Sequence, residues 1–249
     1  MVIGALDTDS VALRTRLEVQ ERLSSFDLNG WIFSHFPYEA GERWLDLGCG
    51  TGKQTIALAK GGCSVTAVDA SEESLSALLE TARREGVADR IDTVHLAMDA
   101  LSTEGPFDRA IASYSLYYAA DAVRLFARLA GLLQPKGQLF FCGPAHANNC
   151  ELRELIAEVT GNACVLDATK PSRFMEEMAP AIARDHFAHV ERFTFENNVI
   201  FNSSADLIAY WSSHNLHDPA FDEAFSTAAE GLPMPFVNRK RGLGIKAAL

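Results

Sequence analysis

Gly48, Gly50 and Gly52 stand at alternate positions between an apolar run, Trp44-Leu45-Asp46-Leu47, and a helical one, Lys53 to Lys60. Glycines at that spacing let the backbone turn sharply and let a ligand approach closely. The helix start behind them offers free N–H groups and the positive end of a dipole. Asp46 opens this loop, and Cys49 lies within it. A carboxylate there would repel a pyrophosphate but would hold an ammonium group. The third glycine of a dinucleotide-binding Gly-x-Gly-x-x-Gly would fall on Lys53. The loop therefore suits a ligand with a cationic, amino-acid-like end better than a nicotinamide dinucleotide.

The elements that must carry this loop follow from periodicity. Strands are expected at Arg43–Leu47, Ser64–Asp69, Ile91–Leu96, Phe107–Ser113 and Gln138–Cys142, with helices between them. Gly61-Gly62 and Gly86 close two of those helices, and Ser71 caps one with Ser74 three residues on. Strands alternating with helices predict a doubly wound, mostly parallel α/β sheet. Apolar spacing over residues 10–36 predicts two helices broken at Asn29-Gly30. Further helices are expected over residues 150–160, 172–184, 204–214 and 220–230. Alternation over residues 189–201 and the run 243–247 give strands six and seven. The expected division is a helical cap over 1–38 and a sheet domain over 39–249, with 202–237 a helical insertion.

Five segments in order resemble class I S-adenosylmethionine-dependent methyltransferases of the small-molecule type. These are Leu45 to Gly52, Val65 to Ser71, Met98-Asp99-Ala100, Phe107 to Ser113, and Leu132 to Leu139 with Lys136 in place of one glycine. The resemblance covers residues 43–143. It implies a seven-stranded sheet with helices on both faces, and S-adenosylmethionine as cofactor with S-adenosylhomocysteine as product. The glycine loop, with Gly48, Cys49, Gly50 and Gly52, would take the carboxylate region, and Asp46 the ammonium. Asp69, with Ala70, would accept from the ribose hydroxyls. Asp99, between Met98 and Ala100, would accept from the adenine amino group. Ser113 and Tyr117 would pass under the methionine part, Tyr117 beside the sulfonium.

Methyl transfer is an in-line displacement in which the protein mainly supplies geometry. Oxygen nucleophiles often also need a base. His146, just beyond the fifth strand, is one candidate. Tyr210 and His214, four apart on one helix face, are others and could line an acceptor pocket or lid. No acidic or cysteine cluster accompanies these histidines, so a metal site is not expected.

Composition bounds the rest. The chain has 249 residues and a net charge of −11, which argues against a general nucleic-acid surface. The five cysteines lack Cys-x-x-Cys spacing and read as free thiols. No apolar run is long enough to span a bilayer, and the first residues lack a basic signal-peptide region, so a cytoplasmic protein is expected. The expected function is methylation of an oxygen or nitrogen of a small metabolite. A non-catalytic cofactor-binding module and methylation of RNA or protein are the alternatives.

Overall fold

A computed structural model describes residues 22–24 and 26–249. Residues 10–21 of the helix expected ahead of Asn29 lie outside these residues. A seven-stranded sheet has the order β3-β2-β1-β4-β5-β7-β6. Its strands are β1 Arg43–Leu47, β2 Ser64–Asp69, β3 Ile91–His95, β4 Phe107–Ser113, β5 Leu133–Pro144, β6 His189–Phe201 and β7 Phe236–Ala248. The first five pair in parallel, and β7 runs antiparallel to β5. Strand order reverses between β1 and β4. In open α/β sheets the crevice at the carboxyl ends there is where ligands bind.

The residues fall into two compact units. The sheet unit comprises residues 27–146, 169–195 and 242–249; the second comprises 147–168 and 196–241 with the described residues among 22–26. The second unit draws on three stretches and contains the whole 202–237 segment.

Period-two alternation explains how the sheet unit buries both faces. Leu45, Leu47, Leu139 and Phe141 join one core, with Leu125, Phe126 and Leu129 from α4, Ala122–Leu132. Trp44, Phe140 and Cys142 face the other way, against Ile32 of α1, Leu28–His35, Phe36 just after it, and Leu58 of α2, Lys53–Lys60. Leu75, Leu78 and Ala82 of α3, Glu72–Arg84, pack beside Ile56 of α2. Asp121 caps α4 and Ser71 caps α3, each accepting the backbone N–H three residues on.

Three expectations need correction. α1 runs through Asn29-Gly30 without a break, because the Asn29 side chain is engaged outside the helix. Its Nδ2 donates to the Lys53 carbonyl at 3.1 Å and its Oδ1 accepts from Gln54 Nε2 at 2.8 Å. β5 begins at Leu133, ahead of the Pro135-Lys136-Gly137 turn signal, because Leu133 already pairs with Phe107 before the register shifts. β7 begins at Phe236, seven residues before the expected strand.

The second unit has its own core, formed by Leu152 and Ile156 of α5, Cys150–Thr160, together with Val199, Phe201, Trp211 and Phe225. Its other helices are α8, Ser204–Trp211, and α9, Asp222–Gly231. In the sheet unit, α6, Lys170–Arg173, and α7, Ala179–His186, are joined by a π turn, Phe174–Met178. Among the described residues, no helix is long and apolar enough to cross a membrane.

Candidate functional site

The glycine loop closes the carboxyl end of β1. Gly48, Gly50 and Gly52 have φ of 71°, 53° and 83°, left-handed values that L side chains rarely adopt. The three glycines serve different ends. A Cβ on Gly48 would meet Ser115 Cβ at 2.4 Å, and one on Gly52 would meet Leu78 at 2.5 Å. A Cβ on Gly50 would meet nothing within 4 Å. Gly50 therefore borders open space, the place where a ligand could lie against backbone.

Asp69 ties β2 to this loop. One of its carboxylate oxygens accepts from Gly50 N at 2.7 Å and the other from Ser71 N at 2.9 Å. Each oxygen keeps a further lone pair for a ligand hydroxyl. Ala70 follows, exposed, with its carbonyl 3.0 Å from His95 Nε2. Met98 reaches the loop: its Cε lies 3.7 Å from where a Gly48 Cβ would stand. Met98, Asp99 and Ala100 form one 3₁₀ turn after β3. The Asp99 carboxylate accepts from the backbone N–H groups of Ala120 and Asp121 at 3.0–3.2 Å, which ties that turn to the start of α4.

Asp46 is fully buried, facing α2 as β1 alternation requires. Its Oδ2 accepts from Thr55 Oγ1 at 2.6 Å. Its Oδ1 has no hydrogen-bond partner among the described residues. Burial pushes the carboxyl up to about 7, with the nearby Asp69 charge adding to the rise and the Thr55 hydroxyl opposing it. An orphaned buried carboxylate oxygen calls for a donor, and a cationic one would answer both the missing bond and the repulsion from Asp69. Thr55, which holds Asp46, stands inside a helical run and gave no motif signal.

Cys49 is 6% exposed, and burial, with the Asp46 and Asp69 charges, pushes its thiol up, away from a nucleophilic thiolate. All five cysteines are free. Ser113 is half-buried, its Oγ 3.4 Å from Cys142 Sγ. Tyr117 is buried in the main core beside Gly143, where a Cβ would meet its ring at 3.3 Å. Ser115 Oγ donates to the Leu47 carbonyl at 2.7 Å and so pins the end of β1.

His146 lies two residues beyond β5, in the same unit as the loop. Nδ1 is 3.2 Å from Ser172 Oγ and Nε2 is 3.1 Å from Glu177 Oε1. Its backbone N–H donates to Glu176 Oε1 at 2.8 Å, while Arg192 Nη2 donates to Glu176 Oε2 at 3.0 Å. Partial burial raises the Glu176 carboxyl, but these two bonds outweigh it and hold it below the usual range. Tyr210 and His214 belong to the second unit. The structure brings them together, ring centroids 5.8 Å apart, but buries both, Tyr210 against Phe201. His214 Nδ1 accepts from Leu216 N at 3.2 Å. Among the described residues, no group of three or more His, Cys, Asp or Glu side chains could hold a metal.

Known proteins carry the same pattern. A sequence family described as a methyltransferase domain matches residues 45–137. The cypemycin N-terminal methyltransferase of a Streptomyces species is 35% identical over 141 residues, 53% of this chain and 55% of that one. A ubiquinone biosynthesis O-methyltransferase of Paracidovorax citrulli is 33% identical over 114 residues, 45% of this chain and 47% of that one. The chain thus spans about half the length of the curated relatives it matches. The crystal structure of a putative methyltransferase from Bacillus halodurans shares the fold, with a TM-score of 0.64, 13% identity, and coverage of 89% of this chain and 98% of that one. The matched stretch begins inside β1 and ends at the turn within β5, so it takes in the glycine loop and all three strand-end acids. Over residues 45–137 the chain is thus similar to methyltransferase domains, and its sheet has the fold of a putative methyltransferase.

Proposed function

We propose that this protein transfers a methyl group from S-adenosylmethionine to an oxygen or nitrogen of a small metabolite or biosynthetic intermediate. The observation that carries the reading is the pair of acids on either side of the glycine loop. One is Asp46, with a buried oxygen lacking a donor among the described residues; the other is Asp69, bonded to Gly50 beside open space. These residues fit the cofactor's polar groups. Asp46 would hold the ammonium, the loop N–H groups the carboxylate, Asp69 the ribose hydroxyls and Asp99 the adenine amino group. Once bound, the cofactor supplies a methyl group already activated on a sulfonium. The chain's own work is to hold, orient and exclude water, which lowers the barrier by proximity. His146 would take the acceptor's proton where that is needed. The relatives' names, an N-terminal methyltransferase and an O-methyltransferase, support both acceptor atoms. Five free thiols support a reducing, cytoplasmic setting.

Titration calorimetry with S-adenosylmethionine or S-adenosylhomocysteine tests this. Wild type is expected to bind. Gly50→Ala fills the space at the loop and Asp69→Ala removes the ribose acceptor, so each is expected to weaken binding by about tenfold or more, the loss of roughly one charge-assisted hydrogen bond. NAD binding in place of either ligand refutes the reading.

A further inference from the structure

We propose, resting on the methyltransferase reading above, that Tyr114 recognises the sulfonium of the cofactor, its ring and hydroxyl oxygen facing the S-methyl group across the end of β4. The protein then favours S-adenosylmethionine over the neutral S-adenosylhomocysteine through this residue.

Register places Tyr114 at the glycine loop. Asp46 of β1 pairs with Ile111 of β4, and Ser113 of β4 with Cys142 of β5. Counting on along both strands sets Tyr114 one residue past the level of Gly48. Its neighbour Ser115 touches that glycine, with Cβ 2.4 Å from where a Gly48 Cβ would stand. Tyr114 has φ of 57°, and its N–H donates to the Cys142 carbonyl at 2.9 Å. A bulky side chain in the left-handed region is a true outlier, and such strain clusters at ligand sites. The twist also ends the alternation of β4. Ala110 and Ala112 belong to one core and Ile111 to the other, yet Tyr114 packs against both. A ring that touches cores on opposite faces of a sheet lies over its carboxyl edge, in the crevice where strand order reverses. Tyr117, three residues on, gives its ring to the main core instead.

The Tyr114 hydroxyl makes no hydrogen bond among the described residues. The fully buried side-chain polar atoms without a partner there are Asp46 Oδ1 and His186 Nε2. Tyr114 Oη is not one of them, so it meets open space. The residue is half-buried, and desolvation pushes the phenol up, with Cys142 adding to the rise, so the hydroxyl keeps its proton. The crevice is thus offered a neutral oxygen with free lone pairs and the electron-rich face of a ring.

The sulfonium is the cofactor group that matches. It is a cation with no N–H or O–H to donate, two methylene groups from the carbon whose ammonium Asp46 would hold. Its polarised C–H bonds suit a hydroxyl oxygen, and its charge suits a ring face. A carboxylate in that place would hold the sulfonium harder than the transition state, where the charge is already dispersing. In the transfer, the acceptor's lone pair forms the new bond to the methyl carbon and the C–S pair stays on sulfur. The product is a neutral thioether, for which both attractions are lost.

Titration calorimetry of the whole chain with S-adenosylmethionine and with S-adenosylhomocysteine tests this, comparing wild type with Tyr114→Phe and Tyr114→Leu. Tyr114→Leu is expected to weaken S-adenosylmethionine binding by about tenfold, and Tyr114→Phe, which keeps the ring and its packing, by about threefold. Affinity for S-adenosylhomocysteine is expected to change by less than about twofold in Tyr114→Phe, which also shows that the variant is folded. A merely structural role would weaken both ligands alike. Equal weakening of the two, or unchanged affinity for both, overturns the assignment while leaving the methyltransferase reading intact. Wild type that binds neither ligand overturns that reading and the assignment with it.

Discussion

Asp46 is the residue on which the proposed cofactor binding and stability pull against each other. Its carboxyl ionises near 3.8 in the open chain and near 7 when buried. The folded state therefore holds the proton more tightly, and stability falls as pH rises from about 4 to about 7. At roughly 1.4 kcal/mol per unit, this one group accounts for about 4 kcal/mol lost across that range. Asp46→Asn removes the effect. Urea unfolding at pH 5, 6, 7 and 8 is expected to show the variant gaining on wild type with rising pH, while its affinity for S-adenosylmethionine falls. A difference between the two proteins that stays flat across this range would place Asp46 in a more solvated setting. The acid itself was legible in the sequence; its burial was not, because that depends on Thr55 and α2 closing over it.

At the scale of elements, the cap of α3 and the extent of β6 were the most legible features. Ser71 caps α3 through Ser74, and β6 spans the residues its alternation predicts, because both signals are local. Lys136 is an instructive departure. It has φ of 70° where the family resemblance leads one to expect glycine, so the turn inside β5 carries a left-handed side-chain residue. Such a residue costs about 1–2 kcal/mol, offset in part by the extra freedom glycine brings to the open chain. Lys136→Gly is expected to raise stability by about 0.5–1 kcal/mol, read as a higher urea midpoint with an unchanged slope. Gly137 beside it is different, since a Cβ there would meet Leu133 Cβ at 2.7 Å. The π turn gave no sequence signal, because Glu176 and Glu177 read as one exposed stretch of helix until the fold brings His146 to them.

At the scale of the whole molecule, two compact units predict two cooperative sets. The second unit closes on Trp211 stacked with Phe225, ring centroids 4.6 Å apart. Trp211→Ala is expected to cost about 3–5 kcal/mol. Hydrogen exchange is expected to show that cost in amides of residues 147–168 and 196–241, with those of β1 and β4 protected as in wild type. Uniform acceleration throughout the chain would mean a single cooperative unit. This grouping was hidden from the sequence, since it joins stretches far apart in the chain around one core.

By itself the sequence determined the strand–glycine-loop–helix unit, the parallel sheet around it and the kind of ligand those acids invite. These rest on contacts between near neighbours and on the period-two and helical repeats that any folded form must respect. Only the tertiary structure decided which polar atoms lack or find partners. Asp46 loses its water because helix and sheet close over it, and His146 gains Ser172 and Glu177 because a chain segment some 26 to 31 residues away packs against the end of β5. Burial and pairing at such separations are properties of packing, and packing is written in no single stretch of the chain.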